Sequence, residues 1–302
     1  MFNYFLIHFI SFIFFKSGFF SEMDWPKIDY GEIVKISESQ YYSQKINQID
    51  QPEISASSAV VMDVKKNIFI LEKNSDQVWP IASISKLMST LIITEDFDLD
   101  LEEYYKIKES DRRLGGRDYL FIGDEVKNKD LLALSLIASD NTAVVALISS
   151  LGLSEDDFVN LMNKKSEELG LKSTNFKDAT GLSPYNVSTA KEVSFLIKRA
   201  FTNSEILDLV NNYNYKFFTK QGRVKNIYST NELLNNFSDN EQLQIIGGKT
   251  GYNDLAGYCF GAQFTINNNQ EFISVVLNAS TLKNRFSDTK KLAQEIYNSY
   301  IN

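Results

Sequence analysis

The sequence predicts an α+β fold: one antiparallel sheet built from both chain ends, flanked by helices, with a helical segment inserted between. Three observations predict it. Strand-like runs open the folded region at 57–64 (SSAVVMDV) and 67–72 (NIFILE). Comparable runs return only at 243–280. Between them, about 97–205, helical periodicity dominates. Strands at both ends with helices between is α+β order, not the alternation of a parallel sheet.

The elements follow in order. Residues 4–15, YFLIHFISFIFF, form an apolar core too short for an ordinary spanning helix and suited to a signal peptide. Lys16 follows this run rather than preceding it, so residues 1–22 read as a cleaved signal or a retained anchor, and the protein is expected to be exported. Membrane contact is expected only through this segment. A polar arm spans 23–52, and a single catalytic-size domain spans 53–302. Lys65-Lys66-Asn67 reads as a hairpin turn between the first two strands. A helix is expected after Trp79-Pro80, because Pro is tolerated in a first turn. Residues 129–149 are apolar on most faces and predict one buried helix. Phe158, Leu161, Met162 and Leu169 give an amphipathic helix over 155–169 that stops at Gly170. Thr189-Ala190-Lys191-Glu192 fits a capping box opening a helix over 193–201. Late strands at 243–252, 256–266 and 270–280 are joined in part by the turn Asn267-Asn268-Asn269. Leu292, Ile296 and Tyr300 share one face of a closing helix.

Composition narrows the chemistry. The 302 residues carry a net charge of −8 with no basic stripe, which argues against a nucleic-acid partner. One cysteine, Cys259, excludes an intramolecular disulfide. The one histidine, His8, lies in the apolar leader. A Ser-His-Asp triad, a Cys-His pair or a His-rich zinc site is therefore excluded, and neither a metal nor a cofactor is expected. Any nucleophilic chemistry needs another base, and Lys is the natural substitute.

Ser-x-x-Lys occurs four times, at Ser83–Lys86, Ser188–Lys191, Ser280–Lys283 and Ser287–Lys290, so spacing alone selects none of them. A Ser and a Lys one helical turn apart share a face. The Lys must lose its proton, through burial or a nearby cation, before it can act as base. Ser139-Asp140-Asn141 interrupts a very apolar stretch, placing a hydroxyl and an amide in dry surroundings, whereas other Ser-x-Asn triplets lie in polar loops. Lys249-Thr250-Gly251 sits in GGKTGY at the start of a strand, where glycines allow close backbone approach. Cys259, without a partner imidazole, is expected to be a packed strand residue.

The order Ser83-x-x-Lys86, Ser139-x-Asn141, Lys249-Thr250-Gly251 resembles the signature of penicillin-binding proteins and β-lactamases. The blocks IASISKLMST, GDEVKNKDLLALSLIASDNTA, FVNLMNKKSEELGLKSTNF, STAKEV, GGKTGYNDLAGYCF and RFSDTKKL narrow the resemblance to the D-alanyl-D-alanine carboxypeptidases, over about residues 53–300. The resemblance implies a penicillin-binding-protein-like fold and a serine peptidase that trims the terminal D-Ala from peptidoglycan stem peptides, with β-lactams as inhibitors. It implies Ser83 as nucleophile, Lys86 as base, Ser139 as proton relay and Asn141 as a holder of Lys86 and substrate. Lys249, Thr250 and, with Ser83, the backbone of Tyr252 would bind substrate; Gly251 allows that approach, and Arg285 is a further ligand for the substrate carboxylate. A D,D-endopeptidase, a non-catalytic penicillin-binding module and a class A β-lactamase are the alternatives. The last needs Glu-x-x-Leu-Asn, and Glu232-Leu233-Leu234-Asn235 is one residue short.

Overall fold

The computed structural model describes residues 49–301. The apolar leader at 1–22 and nearly all of the polar arm lie outside the described residues. Within them, five strands form one antiparallel sheet in the order β2 (Ile68–Lys73), β1 (Ser58–Asp63), β11 (Gln270–Ala279), β10 (Gly257–Ile266) and β9 (Leu243–Asn253). Both chain ends supply strands, as expected.

The central strands are apolar on both faces because both faces are covered. In β1, Ala59 and Val61 face the same side as Phe260, Phe264, Phe272 and Val276, against the closing helix. Val60 and Met62 face the other side with Ile273, Val275 and Leu277, against the helices inserted between β2 and β9. The Asn267-Asn268 turn between β10 and β11 has positive φ at both residues, a conformation Asn tolerates well.

The inserted segment carries β3 (Trp79–Pro80), α1 (Lys86–Glu95), β4 (Tyr104–Lys106), β5 (Glu125–Lys127), α2 (Asn128–Leu136), α3 (Asn141–Ser150), α4 (Glu155–Glu168), β6 (Val187–Ser188), α5 (Ala190–Ala200), α6 (Ser204–Val210), β7 (Asn214–Phe218) and β8 (Val224–Tyr228). The helix α7 (Leu282–Ile301) closes the fold. Several expectations need correction. Pro80 pairs with Val187 in the short β3–β6 ribbon, and the helix begins only after a 3-10 turn over Ala82–Ser85. The single helix expected over 129–149 is two, α2 and α3, broken where Ser139 takes φ +60° and Asp140 caps α3 through Ala143 N at 2.8 Å. The stretch 97–127 holds a β4–β5 hairpin and loops rather than helix, and 170–186 is loop. Thr189 caps α5 by accepting from Glu192 N, but the Glu192 carboxylate turns away to Ser173 and Thr174, so only half of the capping box forms. Lys249-Thr250-Gly251 lies well inside β9, not at its start.

Candidate active site

The cleft is built where α1, the α2–α3 break, the 178–186 loop and β9 converge. Leaving β3, the chain turns sharply: Ala82 has φ +46°, and Ser83 follows within the 3-10 turn. Two glycines let neighbouring backbone close on this turn. A Cβ on Gly181 would lie 2.0 Å from Ala82 O, and one on Gly251 would lie 2.6 Å from Ile81 O and 3.2 Å from Ser83 N. Ser83 is thus gripped by backbone on two sides while its side chain stays partly exposed.

Lys86 opens α1 one turn after Ser83 and is fully buried. Its Nζ contacts Ser83 Oγ at 3.0 Å, Asn141 Oδ1 at 2.6 Å and the Thr180 carbonyl at 2.6 Å. Burial pulls its pKa from 10.5 down to about 7, opposed by the charges of Asp178 and Asp140. Asn141 is held in turn by donating to Gly115 O at 3.0 Å.

Ser139, at the strained break, accepts from Lys249 Nζ at 2.7 Å. Lys249 is buried, also reaches Thr250 O at 3.1 Å, and forms no ion pair among the described residues. Burial and the cations of Lys86 and Arg285 push it well below its ordinary value. Burial also raises Asp140 to about 6. Arg285, in the first turn of α7, reaches across to Gly251 O at 3.4 Å. Its guanidinium lies over Phe286 at 4.7 Å, and its buried Nε has no hydrogen-bond partner. Tyr252 is half-exposed, with its hydroxyl on Asp254 at 3.1 Å.

Contacts thus link Ser83, Lys86 and Asn141 in one group and Ser139 with Lys249 in another, with Thr250, Gly251 and Arg285 beside them on β9 and α7, while the Tyr252 side chain turns outward to Asp254. The structure adds several that sequence reasoning missed. Thr230 shares a 2.6 Å hydroxyl–hydroxyl contact with Thr250, and its N–H donates to Ile137 O just before the break. Thr180 and Gly115 act through carbonyls, which leave no side-chain signature. Cys259 is buried in β10 with its thiol pushed up to about 11 by burial, so it is a packed residue.

An antiparallel sheet from both chain ends, a helical insertion, and a serine–lysine pair facing Ser139, Asn141 and Lys249 define the penicillin-binding-protein class of serine peptidase. Residues 45–281 match the D-alanyl-D-alanine carboxypeptidase family, and the chain belongs to that family. It is 32% identical over 245 residues to a D-alanyl-D-alanine endopeptidase of Escherichia coli, covering 80% of this chain and 77% of the relative. It is 31% identical to the D-alanyl-D-alanine carboxypeptidase DacF of Bacillus subtilis, covering 81% and 63%. Penicillin-binding protein D2 of Listeria monocytogenes, solved in an ampicillin-bound form, superposes with a TM-score of 0.70 at 31% identity, covering 82% of this chain and 99% of that one. The Streptomyces K15 DD-transpeptidase shares the fold, with a TM-score of 0.75 at 23% identity over 84% and 100%.

Proposed function

We propose that this protein is a serine-type D-Ala-D-Ala carboxypeptidase that removes the terminal D-Ala of peptidoglycan stem peptides through an acyl-enzyme on Ser83. The observation that carries the reading is the environment of Lys86. A neutral lysine has two N–H donors and one lone pair. Asn141 Oδ1 and Thr180 O, both at 2.6 Å, take the two donors. Lys86 Nζ lies 3.0 Å from Ser83 Oγ, where it donates when protonated; once neutral, its lone pair is what remains to accept from the Ser83 hydroxyl. Burial that brings the Lys86 pKa down to about 7 makes that form accessible near neutral pH.

In this reading Ser83 Oγ attacks the carbonyl of the penultimate D-Ala as Lys86 Nζ takes its proton. The N–H groups of Ser83 and Tyr252 hold the oxyanion. Lys86 gives that proton up through Ser139, which donates its own hydroxyl proton to the amine of the leaving D-Ala and takes the one from Lys86 in its place; the C–N bond breaks and an ester on Ser83 remains. Water then attacks the ester as Lys86 Nζ takes its proton; the bond from the acyl carbon to Ser83 Oγ breaks, that proton returns to Oγ, and the shortened peptide leaves as the acid. Lys249, Thr250 and Arg285 hold the substrate's terminal carboxylate, and Lys249 has no carboxylate partner of its own among the described residues. A β-lactam would acylate Ser83 by the same attack. Residues 53–302 would form the catalytic domain, and the 1–22 segment would direct export to the envelope, as a cleaved signal or an anchor.

The test is D-Ala release from a D-Ala-D-Ala pentapeptide, with labelled penicillin and mass spectrometry to locate the adduct. Release by the wild type, its loss in Ser83→Ala, and an adduct on Ser83 are expected; no release, or an adduct elsewhere, refutes the proposal. The similarity to the Escherichia coli endopeptidase favours a second reading, hydrolysis of cross-linked peptide dimers. Offering dimers and pentapeptide to the same preparation separates the two.

A further inference from the structure

Asp178 lies outside all three motifs, on the loop between α4 and β6, yet it organises one wall of the cleft. Its Oδ1 accepts from the N–H groups of Thr180 at 2.6 Å, Gly181 at 2.7 Å and Leu182 at 3.3 Å, and from the Thr180 hydroxyl at 2.7 Å. Its Oδ2 accepts from Ser183 N at 2.6 Å. One carboxylate thus folds four consecutive residues around itself. The turn is then fastened to the nucleophile. Asn186 Nδ2 donates to Asp178 O at 2.8 Å and to Ser85 Oγ at 3.0 Å, and Ser85 Oγ donates to Ala82 O at 2.7 Å. The product of this arrangement is a carbonyl, that of Thr180, set 2.6 Å from Lys86 Nζ.

We propose that Asp178 is a positioning residue for Lys86: its carboxylate folds the turn that presents the Thr180 carbonyl to Nζ, and its charge faces the same amine. The inference rests on Lys86 being the base for Ser83. Thr180 O takes one of the two N–H groups of neutral Lys86, which leaves the lone pair aimed at Ser83. The charge acts separately. Lys86 is faced by Asp178 from the loop and by Asp140 from the start of α3, both of which favour its protonated form. Lys249 faces it from β9, and Arg285 from α7 acts on Lys249. Removing the Asp178 charge leaves Asp140 as the one anion of this set that favours protonated Lys86, so Lys86 loses its proton at lower pH.

The experiment is the pH profile of Ser83 acylation by labelled penicillin, for the full chain, with thermal melts as a check on folding. In Asp178→Asn, the amide keeps Oδ1 for the Thr180 and Gly181 donors but sets an Nδ2 donor against Ser183 N, so the limb, not the plateau, reads the charge. The acid limb should move to lower pH, by about one unit. Asp178→Glu keeps a carboxylate near Lys86 but distorts the turn, and should lower the plateau at least about tenfold while moving the limb less than Asp178→Asn does. Asn186→Ala loosens the loop with the charge retained, and should lower only the plateau. A limb unmoved in a folded Asp178→Asn overturns the electrostatic role. If that variant does not fold, a wild-type plateau in Asp178→Glu overturns the positioning role. A wild type that penicillin does not acylate at Ser83 overturns the functional reading and this inference with it, whereas an acylated wild type whose variants behave like it overturns this inference alone.

Discussion

Gly181→Ala tests the link between the loop and the nucleophile most severely. Gly181 has φ +87°, which costs an alanine about 1–2 kcal/mol. The added Cβ would stand 2.0 Å from Ala82 O, 2.2 Å from Ala82 C and 2.7 Å from Ser83 N. An ordinary carbon–oxygen contact is more than an ångström longer, and the obstructing atoms are backbone, so no side chain can swing aside. Overpacking of this kind costs a further ~1–3 kcal/mol, for a total of about 2–5. The function suffers more than the stability. Either the Ala82–Ser83 turn retreats and takes the nucleophile with it, or the loop retreats and draws Thr180 O off Lys86. A displacement of about 1 Å in a reacting group costs on the order of 100-fold in rate. The assay is the second-order rate of acylation by labelled penicillin, beside a thermal melt. Gly170→Ala is the control: Gly170 has φ +72° after α4, but no atom lies within 4 Å of its added Cβ. It should show the conformational cost alone, with a wild-type acylation rate. A folded Gly181→Ala acylated at the wild-type rate would refute the argument that this loop sets the nucleophile's geometry.

Three further outcomes are expected. Acylation of the wild type should rise with pH through about 7, since Lys86 must be neutral and its pKa lies there; a rate flat from pH 5 to 9 would exclude it as base. Thr230→Val should raise KM about tenfold for a substrate ending in a carboxylate while kcat changes little, because Thr250 loses the hydroxyl partner that fixes its own; Thr230→Ser should restore it, and a fall in kcat alone would contradict that role. Binding of a D-Ala-D-Ala peptide to Ser83→Ala should take up protons below the ordinary lysine range, because a carboxylate beside Lys249 raises a pKa that burial had lowered; calorimetry across a pH series in buffers of different ionisation enthalpy reads the uptake, and none at any pH would count against Lys249 as the carboxylate's partner.

Much of this was legible because its causes are local. The runs in β1, β10 and β11 announce strands buried on both faces, and three short motifs in order name the side chains of the cleft. What stayed hidden depends on distant partners. Nothing in Leu136-Ile137-Ala138-Ser139 forbids helix; the break is stabilised by Lys249, 110 residues away, holding Ser139 Oγ. The β7–β8 hairpin escaped because aromatic and apolar residues stand on both faces: Phe217 and Ile227 point inward while Phe218, Val224 and Tyr228 are exposed, which erases the alternation that marks a strand. Asp178 and the Thr180 carbonyl escaped because a turn and a backbone oxygen have no motif of their own.

The backbone locates the same cleft without reference to any motif. Among the described residues, seven that are not glycine have positive φ. Five are Asn67, Asn74, Asn267, Asn268 and Asn278, the residue type that tolerates this conformation best. The other two are Ala82 and Ser139, whose side chains offer no such relief. One immediately precedes Ser83; the other is the serine that Lys249 holds. Two fully buried lysines, Lys86 and Lys249, lie in the same place, where apolar residues of similar volume would often be more stable. Strained backbone and buried ionisable amines thus gather around one serine. A fold under selection for stability alone would shed both, so their coincidence argues for a demand of chemistry there, independently of the three motifs.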